Sequence, residues 1–246
     1  MKIRSVSIIN TVLLIIACSF SASASSASLY HNAVNHPDRT PADLASDAKR
    51  KPLDILPFTQ IKAGDKVLEL GAGGGYTTEL LSWLVGDSGQ VYVHFLYNKE
   101  RLKDKRLANV MPLREHSLNE HTKVLSENQI NSEQLDSIVI FFVLHDIYLN
   151  NEMSDELLLS LFKALKPGGS LIILDNAAKA DSGLANMGDL HRIGEKFVRS
   201  EIEKIGFVFD GSTDVLRNKE DDHSKPWGVF KGTQDRFAFR FIKPLN

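Results

Sequence analysis

The sequence predicts a doubly wound α/β domain whose seven-stranded, mostly parallel sheet ends in an antiparallel hairpin. First, an apolar run from Lys66 to Leu70 enters a glycine-dense turn, and an amphipathic pattern from Thr77 to Val85 follows it. Second, later apolar runs alternate with amphipathic stretches, which is typical of parallel strands joined by helices. Third, the alternation of Phe237, Phe239 and Phe241 indicates a C-terminal strand with one buried face.

The other elements follow from prolines, glycines and apolar periodicity. Thr40 before Pro41 is a typical helix start, and Pro52 opens a second short helix. The Pro167-Gly168-Gly169 turn ends a helix and leads into a buried strand. We expect helices at Pro41–Lys51, Pro52–Thr59, Asn151–Lys166 and Gly194–Ile205. We expect further strands at Gln90–Leu96, Met111–Glu115, from Asp136 to the His145-Asp146 pair, Ser170–Asp175, Phe207–Phe209 and Arg236–Ile242.

Residues 1–24 are expected to be a signal peptide. Lys2 and Arg4 precede an apolar run, Val6–Cys18, that is too short to span a bilayer comfortably, and Ala22-Ser23-Ala24 is a small-x-small cleavage site. The run Ile15–Cys18 also resembles a bacterial lipobox, in which case the signal ends at Cys18. We therefore expect an exported protein that is periplasmic, or anchored to the outer membrane if Cys18 is lipidated.

Two parts are expected after the signal. Residues 25–59 form an N-terminal helical arm, in which Asp47, Arg50 and Lys51 lie on a solvated helix surface or, as the family resemblance given below implies, form a lid. Residues 60–246 form one α/β domain, and we find no repeat or second domain.

Composition limits the chemistry and the partners. Cys18 is the single cysteine, so the folded domain has neither a disulfide nor a cysteine nucleophile. The formal net charge of −2 becomes −4 when Lys2 and Arg4 leave with the signal. That charge, without a basic stripe, argues against a nucleic-acid partner. We expect a small-molecule acceptor and contact with a membrane only through a lipid on Cys18. The sequence does not indicate the oligomeric state.

The glycine loop predicts a ligand without a pyrophosphate. A dinucleotide fingerprint would need a glycine at position 76, where this chain has Tyr76, and the carboxylate of Glu69 would repel phosphates. The glycines allow close approach to the backbone, and the N–H groups of the following helix face the ligand.

The spacing Glu69-x-Gly71-x-Gly73-x-Gly75 resembles motif I of the class I S-adenosylmethionine-dependent methyltransferases, which have a Rossmann-like fold. The resemblance implies S-adenosylmethionine as the cofactor, with Glu69 facing its amino group. The cofactor-binding residues that it implies around this loop are Glu69, Gly71, Ala72, Gly73, Gly75 and Tyr76. Small exported bacterial proteins described as predicted methyltransferases are also similar, through His36-Pro37-Asp38-Arg39, His145-Asp146 and His191-Arg192-Ile193.

The chain departs from this family at the second strand. The family usually ends that strand with an acid that accepts both ribose hydroxyls, whereas this chain has Phe95. Asn98 and Glu100 are nearby substitutes, and Asn98 is our candidate. The resemblance also makes His116 the candidate adenine contact.

Polar residues follow the predicted fourth and fifth strands, where ligands of parallel sheets bind. We assign His145 as a base or acceptor-positioning residue, Asp146 as its orienting or substrate-binding partner, and Asp175 and Asn176 as acceptor contacts; each could instead be structural. His191 and Arg192 are expected to border the same crevice. We expect no metal, because the His-Asp pair follows a strand and the other histidines lack a recognised ligand spacing.

Two functions remain open at this point. The first is transfer of a methyl group from S-adenosylmethionine to an unknown small-molecule or envelope acceptor. The alternative is a non-catalytic exported protein that has kept the fold and binds a nucleoside-like or other small ligand. Phe95 and the cytoplasmic origin of the cofactor favour the alternative, whereas the glycine loop and the polar strand ends favour the enzyme.

Overall fold

The computed structural model describes residues 27–96, 98–103, 107–113, 125, 130–150, 155–185, 187–226, 229 and 234–245. The predicted signal, Cys18 and His116 therefore lie outside the described residues. Three helices come first: α1 at 27–34, α2 (Pro41–Arg50) and α3 (Pro52–Thr59). The later helices are α4 (Tyr76–Val85), α5 (Leu144–Leu149), α6 (Asp155–Ala164), α7 (Met187–Leu190) and α8 (Glu195–Lys204), and a 3-10 turn spans Lys99–Lys103.

Seven strands form one sheet in the order β3–β2–β1–β4–β5–β7–β6. The pairs β1–β2, β1–β4, β2–β3 and β4–β5 are parallel, and β7 runs antiparallel to both β5 and β6. The predicted fold class is confirmed. The strands are β1 (Lys66–Gly73), β2 (Gln90–Leu96), β3 (Val110–Pro112), β4 (Leu135–Phe141), β5 (Leu165–Asn176), β6 (Val208–Ser212) and β7 (Arg236–Ile242).

Each face of the sheet has its own apolar core. Ile138 and Ile140 of β4 point into one core, and Val139 between them points into the other. This alternation buries both faces, as a sheet covered by helices on each side requires. No helix among the described residues is long and apolar enough to cross a membrane.

The N-terminal arm is part of one of these cores. Val34, Ile55 and Leu56 are buried in the same cluster as Leu80 and Leu84 of α4. Strand β7 fixes the arm further, since Arg236 Nη1 donates to the Lys49 carbonyl at 3.1 Å and Arg240 Nη1 donates to the Phe58 carbonyl at 2.6 Å. The arm is therefore packed against the sheet alongside β7.

The prediction that the fourth strand runs to the His145-Asp146 pair is wrong. The strand stops at Phe141, and His145 and Asp146 lie in the short helix α5 instead of ending the strand. Phe142 has a positive φ of 60°, which breaks the extended backbone, and its N–H donates to the Leu174 carbonyl at 2.7 Å. The turn brings α5 across the end of the sheet.

Candidate active site

The glycine loop lies at the carboxyl end of β1, between β2 and β4. Gly71, Gly73 and Gly75 all have positive φ, at 80°, 55° and 86°. Gly71 also makes a close approach, because a Cβ on it would lie 2.4 Å from Val143 Cγ1. Gly75 caps α4 without a side-chain hydrogen bond, so the first N–H groups of this helix face the loop without a side-chain cap from that residue.

Glu69 lies beneath this loop and is only 3% exposed. Thr78 Oγ1 donates a hydrogen bond of 2.5 Å to Glu69 Oε2. Burial raises the pKa of Glu69 to about 7, while the hydrogen bond from Thr78 and the positive charge of Arg50 act in the opposite direction. A buried carboxyl with this pKa is half-protonated near neutral pH, and a cationic ligand group beside it would favour the charged form.

The arm contacts the loop through Tyr76. The Tyr76 hydroxyl donates to Asp47 Oδ1 at 2.6 Å, and Arg39 makes two hydrogen bonds of 2.7 and 2.6 Å to the same carboxylate. The Arg50 guanidinium lies 4.5 Å from the centre of the Tyr76 ring. Burial, together with Asp47, raises the pKa of Tyr76, so its hydroxyl remains a donor. Two of the predicted lid residues thus touch the loop, whereas Lys51 Nζ donates to the Val215 carbonyl instead.

A mostly apolar pocket opens between the arm and the loop. Arg50 and Tyr76 form its polar edge, and the side chains that line the rest include Leu56, Leu80 and Phe142. The pocket lies beside the start of α4, so an apolar part of a ligand can be held next to the glycine loop.

The end of β2 presents Phe95, as expected from the sequence. Phe95 is 58% exposed and has a positive φ of 59°, which is unfavourable for a bulky residue. Asn98 is half-buried, and its carbonyl accepts a hydrogen bond of 3.2 Å from the Arg101 N–H at the 3-10 turn. Within β2 itself, therefore, no carboxylate is available for a ribose.

His145 and Asp175 form a buried pair on the other side of the loop. His145 Nδ1 lies 2.7 Å from Asp175 Oδ1, and the His145 backbone N–H donates to Asp175 Oδ2 at 2.9 Å. Burial alone would lower the pKa of His145, but the charge and hydrogen bond of Asp175 and the charge of Asp146 raise it. With Nδ1 used by Asp175, Nε2 is the atom that can take a proton or bind an ion.

His191 completes this side of the crevice. Its Nδ1 lies 3.2 Å from Asp146 Oδ1, which is itself 3.4 Å from His145 Nε2. Asn176 holds the loop in place, since its Nδ2 donates to the His191 carbonyl at 3.1 Å and its Oδ1 accepts from Gln234 Nε2 at 3.2 Å. Both ends of the Asn176 side chain are thus used in holding the loop that carries His191, so Asn176 positions His191 and does not face an acceptor.

Arg192 is buried in the protein, whereas its neighbour His191 borders the crevice. Its side chain is fully buried, Nη2 lies 2.8 Å from Asp221 Oδ2, and Nη1 donates to the Ala177 carbonyl at 2.9 Å. The ion pair ties the loop before α8 to the loop before β7. Arg192 therefore supports the site without lining it.

Comparisons with known proteins agree with this architecture. A family model for protein-L-isoaspartate(D-aspartate) O-methyltransferase matches residues 45–122, which include the glycine loop. The ubiquinone/menaquinone biosynthesis C-methyltransferase UbiE of Legionella pneumophila (strain Lens) is 29% identical over 158 residues, which is 59% of this chain and 58% of that relative. The chain thus spans less than two thirds of the length of the curated relatives it matches first.

Solved structures show the fold. A SAM dependent methyltransferase from Aquifex aeolicus superimposes with a TM-score of 0.58 at 21% identity, covering 80% of this chain and 92% of that one. The [4+2]-cyclase SpnF has a TM-score of 0.55 at 13% identity, over 83% and 82% of the two chains. The chain has the class I methyltransferase fold, and the family model and the curated relatives that it matches are those of methyltransferases.

Proposed function

We propose that this protein transfers a methyl group from S-adenosylmethionine to a small-molecule or envelope acceptor. The observation that carries the proposal is the glycine loop at the end of β1, with the buried carboxyl of Glu69 beneath it and an uncapped helix start behind it. The matches to methyltransferases at this same loop support it.

The residues present fit this cofactor. Gly73 and Gly75 have backbone conformations that let a ligand approach closely, and the N–H groups of α4 suit a carboxylate. Burial raises the pKa of the Glu69 carboxyl to about 7, and a cationic amino group placed beside it would favour its charged form. When bound, the cofactor supplies an activated methyl group on a positively charged sulfur.

The acceptor would lie between the arm and helix α5. Methyl transfer requires an in-line approach of the acceptor atom, which makes positioning the main task of the protein. The polar cluster of His145, Asp146 and His191 can orient the reacting group of the acceptor. The apolar pocket beside Tyr76 has room for only a small apolar group. Asp175 acts through His145, because it is fully buried and bonded to that ring.

Export remains part of this proposal and rests on residues 1–24 alone. We expect the mature protein in the periplasm or, if Cys18 is lipidated, on the outer membrane. Cell fractionation of the wild type and of Cys18→Ala separates the two cases, because only a lipidated protein would leave the membrane fraction on this substitution. Recovery of both proteins in the cytoplasm would contradict export.

Cofactor binding is tested by thermal melts with S-adenosylmethionine and with its demethylated product. At about 100 times the dissociation constant, binding adds roughly 2.7 kcal/mol, which raises the Tm of a domain this size by roughly 5–10 °C. Gly73→Arg should abolish the rise. Gly183→Arg is the matched control, because Gly183 has the same φ of 55° and open space around its Cβ position. No rise at millimolar ligand in the wild type would favour the non-catalytic alternative.

The affinity for S-adenosylmethionine should depend on pH through Glu69. The raised pKa of about 7 means that the carboxyl is protonated below pH 7 and charged above it, and only the charged form attracts an amino group. The dissociation constant should therefore increase roughly tenfold or more from pH 7.5 to pH 5.5. Glu69→Gln should remove most of this slope, while the exposed Glu156→Gln should keep it. An unchanged slope in Glu69→Gln would refute the assignment.

A further inference from the structure

Two side chains of helix α5 and one from the loop before α8 form a set of candidate metal ligands at the end of the sheet. One nitrogen each of His145 and His191 and one oxygen of Asp146 lie within 4.8 Å of one another. Asp146 Oδ1 is 3.4 Å from His145 Nε2 and 3.2 Å from His191 Nδ1. Two ligands bound to one ion at about 2.1 Å in tetrahedral geometry are roughly 3.4 Å apart. The existing spacing therefore needs little change to hold an ion.

A buried carboxylate orients the first of these ligands. Asp175 is fully buried, and its Oδ1 lies 2.7 Å from His145 Nδ1 while its Oδ2 accepts from the His145 N–H. A proton on Nδ1 leaves the lone pair of Nε2 directed toward Asp146. Metal-binding histidines usually donate their second N–H to a carboxylate in this way, which fixes the ring and makes the nitrogen a better ligand.

The charges favour a divalent cation at this point. Two carboxylates, Asp146 and Asp175, flank a histidine that is only 3% exposed. The lone pair of Nε2 and the negative oxygen of Asp146 would repel each other unless a proton or a metal ion lies between them. Arg236 also interacts electrostatically with Asp175, so one carboxylate is partly balanced and the charge of Asp146 faces the ion.

The local backbone brings the three ligands to the acceptor side of the glycine loop. Val143 is the N-cap residue immediately before helix α5, and its side chain packs against Gly71. His191 lies 45 residues after Asp146 in the chain. The side-chain amide of Asn176 donates a hydrogen bond to the His191 carbonyl and so keeps this residue in place. An ion here would lie beside the position that the acceptor must take.

We propose that His145, Asp146 and His191 bind one divalent transition-metal ion, of which Zn²⁺ is the representative, and that this ion holds an oxygen of the methyl acceptor. Two imidazoles and one carboxylate suit such an ion and leave coordination positions open. A hydroxyl bound there ionises more readily and becomes a better nucleophile, with its proton passing to solvent. The role of the ion in methyl transfer rests on the proposed function, and His145 then acts as a ligand instead of a base.

Metal binding is tested on the full chain without a histidine tag. After treatment with a chelator, equilibrium dialysis should show one Zn²⁺ per chain. His191→Ala and Asp146→Asn change partly exposed side chains, so the fold should tolerate them, and each should weaken Zn²⁺ binding at least tenfold. The control is His31→Ala, which removes an exposed histidine of the arm. Co²⁺ gives a second readout, since its visible absorption should show nitrogen ligation that is lost in His191→Ala.

The outcomes separate this inference from the proposed function. Zn²⁺ binding that is absent in the wild type, or unchanged in both ligand variants, overturns the metal site. Melts with S-adenosylmethionine in metal-free buffer are made in parallel, and His191→Ala should keep the wild-type rise. Metal binding without a cofactor-induced rise would refute the proposed function and leave the metal site standing.

Discussion

Gly71→Ala is expected to lower the free energy of unfolding by about 2–5 kcal/mol. The new Cβ would lie 2.4 Å from Val143 Cγ1, and the residue must keep a φ of 80°. Overpacking of this kind costs about 1–3 kcal/mol, and the left-handed conformation adds about 1–2 kcal/mol for a residue with a side chain. Urea denaturation measures the change.

The matched control for this change is Gly183→Ala. Gly183 also has a positive φ, of 55°, but no atom lies within 4 Å of its Cβ position. Only the conformational cost of about 1–2 kcal/mol should remain. If the two variants lost the same stability, the contact between the glycine loop and Val143 would not exist in solution, and the placement of helix α5 against the loop would be wrong.

Phe95→Asp is expected to tighten the binding of S-adenosylmethionine by about tenfold or more. Phe95 is the next-to-last residue of β2 and lies beside the glycine loop, at the position where the resembling family has an acid. A carboxylate there would accept hydrogen bonds from the ribose hydroxyls, and a hydrogen bond to a charged group contributes about 1.5–3 kcal/mol. Aspartate also tolerates the observed φ of 59° better than phenylalanine. Isothermal titration calorimetry measures the change.

Phe95→Ala separates gain of the carboxylate from loss of the ring. It removes the same ring without supplying an acceptor, so its affinity should not rise. Weaker binding in both variants would mean that the exposed ring itself contacts the cofactor. Equal tightening in both would mean that the ring obstructs the site, and the ribose argument would fail.

Much of the fold could be predicted because its signals are local. The bounds of β2 and β7 are the predicted ones, since alternating apolar residues mark both strands. Helix α3 also has its predicted bounds, from Pro52 to Thr59. These elements depend on proline placement and on apolar periodicity, which a single sequence contains.

The errors arise where distant residues decide the backbone. We expected the helix before β5 to continue to Lys166, but the strand starts at Leu165, which pairs with Leu135. Lys166 also makes an ion pair of 2.6 Å with Asp136, and the Gly168 N–H donates to the Lys243 carbonyl. These partners lie far away in the chain, so the Pro-Gly-Gly signal alone placed the boundary too late.

The site shows the same limit. The glycine loop and the polar residues at the end of β5 were recognisable from the sequence, and the structure brings His145 and Asp175 together as one hydrogen-bonded pair. The sequence placed Asp47 in a possible lid and His191 beside the crevice. It could not give their hydrogen-bond partners, Tyr76 and Asp146, because these lie 29 and 45 positions away in the chain. We expected no metal because the His-Asp pair follows a strand, and the metal proposal arises only from the spatial approach of His191 to that pair.

A crystal structure of the protein with S-adenosylhomocysteine is the most direct test of the central claim. We expect the methionine part of the ligand on the backbone of Gly71–Gly75, with its amino group directed toward Glu69. Its sulfur should face the crevice between Tyr76 and His145. Binding of the ligand at any other surface, with the glycine loop unoccupied at saturating concentration, would contradict the assignment of this protein as an S-adenosylmethionine-dependent methyltransferase.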